Sequence, residues 1–592
     1  MIVFQTSEVK INFTNKGIRF NEESDFFSNQ TSKSFSFPFN VKLDSDVAVL
    51  LGLVNISSVR SYKSKIYGYL TIDSVFYDAY IAIGEIKNNQ VELTIYYGKE
   101  VLPVFDKKLN QLPFGVTNTA SNLPTFAKAQ LNKSWPEATH NFPKMFREDI
   151  SQKSNYTYFE NFVNNYINDG GWDFPVNTID LIEGENVAVN RNVMCPFPYL
   201  MEIFKVIFAS EGLEIRGDFV NDDFYKKVCL VPKNYFEQYA VSQFDNYSFS
   251  TFTSQETING TTINVYQKQH TPLVVGSYSL KFRLNLSNAI AQYFHLKITH
   301  GSNTLYEASS TNKQVTINEE ISLNIINTTV FDPIIVVLKL SYQAASIVNF
   351  NSFTYQHKEG QLNVFPTAYN IADFMPDMKV RDFINKIKSW FNLKFDYTDN
   401  AVSIDFLDDY VNALVFEDKS HLESPDVKRV INKNNLFKLT YKDGSEVMVD
   451  KNGQTYSDKD FSDSEIETID IEALPLKVIE NYNVVTAVYP NDDTDLMFCL
   501  YDGTVASENI AVDSINGVKL DLQHQYDLRW SNWLRFRANA EILKDTFFAH
   551  VWETFNFKNG IFKYNKNQLA KSISKKRVND LYWEIEVESE TL

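Results

Sequence analysis

The sequence predicts a mainly β, multidomain α+β protein in which short helices serve strands. Three observations predict it. The chain has 592 residues, room for several domains of ~100–200 residues each. Its 47 Phe, 32 Tyr and 15% aromatic content suit pleated, half-buried surfaces. Apolar residues recur in period two along many short runs separated by Gly, Asn, Ser and Pro.

Residues 1–105 read as a first β-rich region. In "SFSFPFNVKL", Phe35, Phe37, Phe39, Val41 and Leu43 share one face, and Pro38 marks an edge or bulge. A meander follows, in which Val75, Tyr77 and Ala79 alternate, as do Val91, Leu93, Ile95 and Tyr97. Gly84 and Asn88–Asn89 are expected at or near its turns. Residues 106–195 lose periodicity and read as an irregular connecting region. Its scattered aromatics (Trp135, Phe142, Phe146, Tyr156, Phe159, Phe162) wrap over other elements.

Residues 196–240 form a helix–strand unit, and 370–420 a second. In "FMPDMKVRDFINKIKSWFNLKF", Val380, Phe383, Ile384, Ile387 and Phe391 fall on one helical face. Asp377 reads as the N-cap and Asp382 as solvated. A helix this short needs a surface to pack on. At an offset of 180, Pro196 aligns with Pro376, Leu200 with Val380, Ile203 with Phe383, Phe204 with Ile384, Ile207 with Ile387, Leu213 with Leu393 and Ile215 with Phe395. Each copy is followed by an apolar run, "KKVCLVP" or "NAVSIDFL". Both read as helix–strand–turn–strand units, with one mismatch where Phe208 meets Lys388.

Between them, 241–355 reads as an inserted, jelly-roll-like β-sandwich. Tyr278, Leu280, Phe282, Leu284 and Leu286 alternate strictly, and Phe294, Leu296 and Ile298 follow. Val315 and Ile317, then Ile321, Leu323 and Ile325, then Val336, Leu338 and Leu340 complete the pattern. Residues 421–592 return to strands.

The formal charge is −18, from 56 basic and 74 acidic residues, which repels nucleic acid at long range. Cys195, Cys229 and Cys499 match neither a zinc site nor a disulfide framework and read as buried apolar groups. "MIVFQTSEVKINF" lacks the pattern of a signal peptide, and "PIIVVLKL" is too short to span a membrane. A protein made in the cytoplasm is expected.

No catalytic, cofactor-binding or metal residue is assigned, and no cofactor is expected. The eight His make no H-E-x-x-H; His295 and His300 fall on opposite faces of a strand. "SDKDFSDSE" offers Asp458, Asp460, Asp463 and Glu465 to Ca²⁺ but lacks the EF-hand Gly, so it reads as a solvated loop. Tyr278, Tyr293 and Tyr306 are candidates for stacking on a sugar; core is the plainer reading. "KSISKKR", Lys571–Arg577, reads as a solvated loop or a contact for an acidic partner.

The strand-and-turn from Phe35 to Gly52, the Pro-led helix "PFPYLMEIFKVIFASEGLEI", its echo and the terminal β region resemble tail hub and baseplate proteins of tailed bacteriophages. The closest flavour is that of Bacteroidetes phages. The resemblance implies two tail-tube-like β-barrels, at 1–105 and 421–592, braced by the helix–strand units. It implies a homotrimer that joins the tail tube protein to distal spike or fibre proteins. Such a protein lies in the virion tail after assembly in the host cytoplasm, and DNA passes it only in transit. Two alternatives stand beside this reading. One is a distal receptor-binding protein whose 241–355 sandwich holds a host-surface glycan. The other is a tail-associated cell-wall hydrolase.

Overall fold

The computed structural model describes the chain except residues 9, 14–16, 28–33, 44, 52–64, 99–101, 120–121, 154–155, 157, 169–172, 184, 237–243, 248–251, 273–274, 286–292, 312–315, 327–328, 330–331, 342–348, 362–364, 431–435, 443, 451, 453–454, 457–465, 477, 480–483, 487–495 and 592. Gly52, Leu286, Val315 and the acidic run Ser457–Glu465 therefore lie outside the described residues. The protein is mainly β, with several sheets and short helices.

Both chain ends enter one 14-stranded sheet. The N-terminal part supplies β1 (Ile2–Gln5), β2 (Lys10–Asn12), β3 (Arg19–Glu23), β4 (Ser34–Ser36), β5 (Phe39–Lys42), β6 (Lys65–Ile72), β7 (Val75–Lys87) and β8 (Gln90–Tyr97). The C-terminal part supplies β9 (Phe416–Asp418), β10 (Lys428–Val430), β11 (Ile542–His550), β12 (Gly560–Lys563), β13 (Lys566–Arg577) and β14 (Tyr582–Thr591). The order is β2-β1-β6-β7-β8-β4-β3-β13-β14-β11-β10; β5 joins β8, β12 joins β13 and β9 joins β12. The junction is the antiparallel pair β3–β13, where Arg19 faces Lys576 and Glu22 faces Ile573. Phe4, Phe20, Leu70 and Ile81 share one core with Phe547, Ile573 and Ile585.

Among the described residues the two end regions share one sheet and one core. Alternation along a strand identifies its faces but not its partner. Residues 436–471 leave that sheet altogether. Their strands Leu436–Tyr441, Glu446–Asp450, Thr455–Tyr456 and Ile466–Ile471 form a separate sheet.

The meander matches its alternation: Val91, Leu93, Ile95 and Tyr97 are buried. Asn88 and Asn89 both take positive φ in the β7–β8 turn. Gly84 instead sits inside β7, where the register shifts between Ile83 and Ile86. A Cβ there would meet Glu92 Oε1 at 2.7 Å. Pro38 does break its strand, into β4 and β5. Pairing with β8 slips by one residue across the break, and a one-residue slip exchanges faces. Val41 and Leu43 point into the core. Upstream it is Ser36 that is buried, its Oγ accepting Ile95 N–H at 2.9 Å, while Phe35 and Phe37 point outward.

The two helix–strand units form the centre. Helix α1 (Leu200–Ala209) and helix α2 (Val380–Phe391) bury every aligned helical position: Leu200, Ile203, Phe204 and Ile207; Val380, Phe383, Ile384 and Ile387. At about 1.5–3 kcal/mol per fully buried large apolar side chain, this burial offsets what a lone short helix lacks. Phe204 packs on Phe383 (5.9 Å) and Phe395 (6.1 Å), so the units brace each other. Their strands, Glu214–Arg216 and Leu393–Tyr397, flank one shared strand, Ala401–Phe406, parallel and antiparallel respectively. The mismatched position is buried in both copies: Phe208 in core, and Lys388 with Nζ donating to Asp25 O at 2.7 Å.

Two details differ from expectation. "KKVCLVP" does not return beside its own unit; Val228–Leu230 pairs with Leu496–Leu500. Gly217, at φ +105°, turns the chain away where a Cβ would lie 2.4 Å from Ile404 O. Asp377 is not the cap of α2, which begins after Lys379 with no side-chain cap. Its carboxylate pairs with Lys108 at 2.7 Å. Asp382 is exposed, as expected.

The predicted irregular region contributes Leu109, Phe142, Met145 and Tyr156 to the central core. It also contains an unforeseen helix, Leu123–Gln130, capped by Asn122, and a hairpin, Thr178–Ile182 with Glu185–Val189. That hairpin extends the sandwich by pairing with Asn349–Gln361. The sandwich is two antiparallel sheets around Leu280, Leu284, Leu296, Ile298, Val336 and Leu338.

A buried carboxyl ties two helices together in the centre. Asp408 accepts Trp533 N–H at 2.8 Å. Burial pushes its pKa up to about 6, against the backbone bonds from Trp533 and Asn532. A raised carboxyl stabilises the fold below the unfolded value near 4, and that contribution is lost as pH rises through about 6. Asp408→Asn is therefore expected to gain about 2–3 kcal/mol on the wild type between pH 4 and pH 7. Urea unfolding at both pH values checks it; parallel pH profiles would refute it.

Candidate functional surfaces

The outer face of the large sheet is divided by chemistry. Across β6, β7, β8 and β4 runs an aromatic ladder. Tyr67 faces Tyr80, Tyr80 faces Tyr96, and Tyr96 faces Phe35 in the strand register. Ring centroids are 5.5, 4.8 and 6.1 Å apart, and Phe37 continues at 5.9 Å from Phe35. The opposite parity (Leu70, Ile81, Ile95) fills the core, so these strands are apolar on both faces. Tyr67 OH donates to Asp106 Oδ2 at 2.9 Å, which anchors one end of the ladder.

Across β3, β13, β14 and β11 the outer face carries paired charges. Arg19 lies 3.7 Å from Glu584 and 3.5 Å from Glu586, and Lys544 lies 2.6 Å from Glu588. Beyond this lattice, Phe548, Trp552, Leu581 and Tyr582 are exposed. Val551 N–H donates to Leu581 O at 2.9 Å, so the turn carrying Trp552 sits beside the β13–β14 turn.

Asp73, between β6 and β7, gathers three donors: the chain's amino group at 2.7 Å, Trp583 Nε1 at 3.0 Å, and the Arg577 guanidinium. Burial opposes its charge, but the hydrogen bonds from the N-terminus and Arg577 hold its carboxyl below the usual range. Within the C-terminal strands, Lys563 and Asp545 form a buried pair at 2.5 Å. Lys563 also donates to Leu422 O at 2.8 Å and lies over the Phe547 ring at 3.8 Å. Arg537 reaches the buried Glu590 at 3.5 Å and Glu467 at 3.0 Å, joining the last strand to the centre.

The residues singled out in the sequence do not converge. His295 and His300 point to opposite faces, the first to Glu307 at 2.8 Å and the second to Thr329 O at 3.0 Å. Tyr278 is core, stacked on Tyr355 at 4.8 Å, and Tyr306 packs on Phe282 at 4.9 Å. Lys571–Arg577 is not a loop: it lies in β13, where Lys575 pairs with Glu22 at 3.1 Å and Lys571 with Glu588 at 3.6 Å. All three cysteines are buried and unbridged, and burial pushes their thiols up. Cys229 and Cys499 face each other across the Val228–Leu230 and Leu496–Leu500 pairing.

A cavity of about 600 Å³ opens among Arg147, Lys153, Lys233, Tyr235, Tyr369 and Asp373. Its most buried cation is already neutralised: Arg147 grips Asp149 at 2.9 and 2.6 Å and donates to Lys233 O at 3.0 Å. Behind it the buried His140 meets Tyr369 OH at 2.5 Å, its pKa pushed down to about 3 by burial. Among the described residues no helix is long and apolar enough to cross a membrane, and no group of three or more His, Cys, Asp or Glu could hold a metal.

The sequence reading missed the outer aromatic ladder. The signal was present: "VFYDAYIAIG" carries apolar residues at both parities, so both faces of the strand bear apolar side chains. No protein-family model matches the chain, and no curated protein does. Among solved structures it is similar to the 43 kDa tail protein of prophage MuSo2 from Shewanella oneidensis, at 6% identity over 99% of this chain and 97% of that one, with a TM-score of 0.29. It is similar to the infectious bursal disease virus VP2 subviral particle at 9% identity, over 21% of this chain and 33% of that one, with a TM-score of 0.13. It is also similar to TmCBM61 bound to β-1,4-galactotriose at 15% identity, over 24% of this chain and 83% of that one, with a TM-score of 0.11. None of these TM-scores is high enough to fix a fold.

Proposed function

We propose that the chain is a non-enzymatic structural subunit of a phage tail, acting at the tail tip as a hub or baseplate protein. Three copies would form a ring between the tail tube and a distal spike or fibres, with DNA passing through and not held. The observation that carries this reading is the pair of helix–strand units set 180 residues apart in the sequence. They pack on each other and flank one shared strand. A subunit that carries a repeated unit can help match a three-fold ring to a six-fold tube. The prophage tail protein that aligns along the chain is in keeping with this class without carrying it.

Native mass and electron microscopy of the full chain test the proposal. Three chains around a channel wide enough for duplex DNA are expected. A stable monomer that cleaves peptidoglycan would overturn it in favour of a hydrolase. The sandwich is a decoration in this reading.

A further inference from the structure

We infer that Lys563 and Asp545 condense into an intramolecular amide (isopeptide) bond in the interior of the large sheet. The bond ties together β11 and β12, two strands that do not pair with each other. It stands on the geometry of these two side chains and not on the hub reading.

Topology brings the two groups together. β12 pairs with β13 and β9, whereas β11 pairs with β14 and β10. Asp545 has the parity of Leu543, Phe547 and Ala549, which β11 turns inward. Lys563 enters the same space from β12; it is 3% exposed and Asp545 6%. No other lysine–carboxylate pair among the described residues is so deeply buried on both sides. Lys388 and Asp25 come nearest, and they stand 3.8 Å apart.

Each reacting atom is held in place. Lys563 Nζ donates to Asp545 Oδ2 at 2.5 Å and to Leu422 O at 2.8 Å, and it lies over the Phe547 ring at 3.8 Å. Tyr564 OH donates to the same Oδ2 at 2.8 Å and is itself fixed by accepting Ser424 N–H at 2.8 Å. Asp545 Oδ1 is buried and, among the described residues, finds no hydrogen-bond donor. A buried carboxylate oxygen without a donor is costly and calls for a reason. As the carbonyl oxygen of a neutral amide it costs less. Burial also holds the lysine below its usual pKa, which favours the neutral, nucleophilic amine.

The step balances within the pair. One proton passes from Nζ to Oδ2, and Nζ then attacks Cγ. A second Nζ proton follows to Oδ2, the Cγ–Oδ2 bond breaks, and Oδ2 leaves as one water. Oδ1 becomes the amide carbonyl oxygen. The last Nζ proton keeps its hydrogen bond to Leu422 O. Two opposite charges vanish from a buried site, and their desolvation penalty goes with them. Fixing the partners in contact makes the reaction unimolecular, and well-oriented groups reach effective concentrations of ~10⁵–10⁸ M. Freshly folded chain holds the ion pair, and stability measurements on it read that state; the amide accumulates on standing.

Intact-mass spectrometry of the full chain, followed by denaturation and peptide mapping, tests this. After incubation in the folded state, the wild type is expected to weigh one water less than its sequence. Digestion should give one branched peptide that carries both Lys563 and Asp545. A sample kept in urea throughout should retain the full mass. So should Lys563→Arg, which keeps the cation but not the amine, with circular dichroism to check its fold. A folded wild type that keeps its full mass overturns the inference, as does a map with the two residues in separate peptides. Water loss that persists in Lys563→Arg also overturns it, in favour of a cyclic imide at Asp545. If Lys563→Arg fails to fold, the wild-type peptide map decides alone. None of these readouts depends on how many chains assemble, so the hub proposal stands or falls separately, on native mass.

Discussion

Trp390→Ala is expected to destabilise the centre of the protein by about 3–5 kcal/mol, the range for removing a large buried aromatic side chain. Trp390 is fully buried. Its ring stacks on Phe391 at 4.3 Å and meets Phe498 at 5.1 Å. Its Nε1 donates to Tyr441 OH at 2.6 Å, and that hydroxyl donates onward to Leu520 O at 3.0 Å. Truncation would open a cavity where α2 meets two later strands, and would leave a buried hydroxyl short of one donor. Calorimetry should show the central transition fall while the sandwich, built on a separate core, keeps its own. A loss below about 1 kcal/mol would mean that the site collapses around the missing ring and that α2 is not pinned there.

Lys563→Met is expected to cost about 3–5 kcal/mol, because it strands the buried Asp545 carboxylate. The double variant Lys563→Met with Asp545→Leu is expected to recover most of that loss. Tyr564 OH, which bonds Asp545 at 2.8 Å, keeps a second partner in Ser424 O at 3.1 Å. Burial already disfavours the charged lysine, and its pKa lies below the ordinary range in spite of the Asp545 hydrogen bond. The ion pair is therefore costly to break but of small net worth as a pair. Denaturant midpoints of the two singles and the double decide it. If the double is as weak as the single, the pair contributes real stability and this account of it fails.

Elements with their own periodicity were legible in the sequence. Val91–Tyr97 and Val380–Phe391 read correctly because burial on one face writes itself into the residue pattern. Features made by partners distant in sequence were not legible. Lys571–Arg577 looks like a solvated run, because nothing local reveals Glu22 and Glu588 across the strands. Asp377 has the look of a cap, but its partner is Lys108. Phe35 and Phe37 read as sharing the face of Val41 and Leu43 because a one-residue slip at Pro38 cannot be seen without β8. The candidate surface stayed hidden for a related reason. A period-two reading assigns one face to the core and stops, whereas β7 is apolar on both.

The β3–β13 junction also sets a clock. Arg19–Glu23 are made about 550 residues before their partners Ser572–Lys576. At roughly 5–20 residues per second, the N-terminal strands wait about half a minute to two minutes for the strand that completes them. Throughout that time one edge of a hydrophobic sheet stands open, as template for any neighbouring nascent chain. A chain that stops before Ser572 lacks the strand that pairs with Arg19–Glu23 and keeps that edge open.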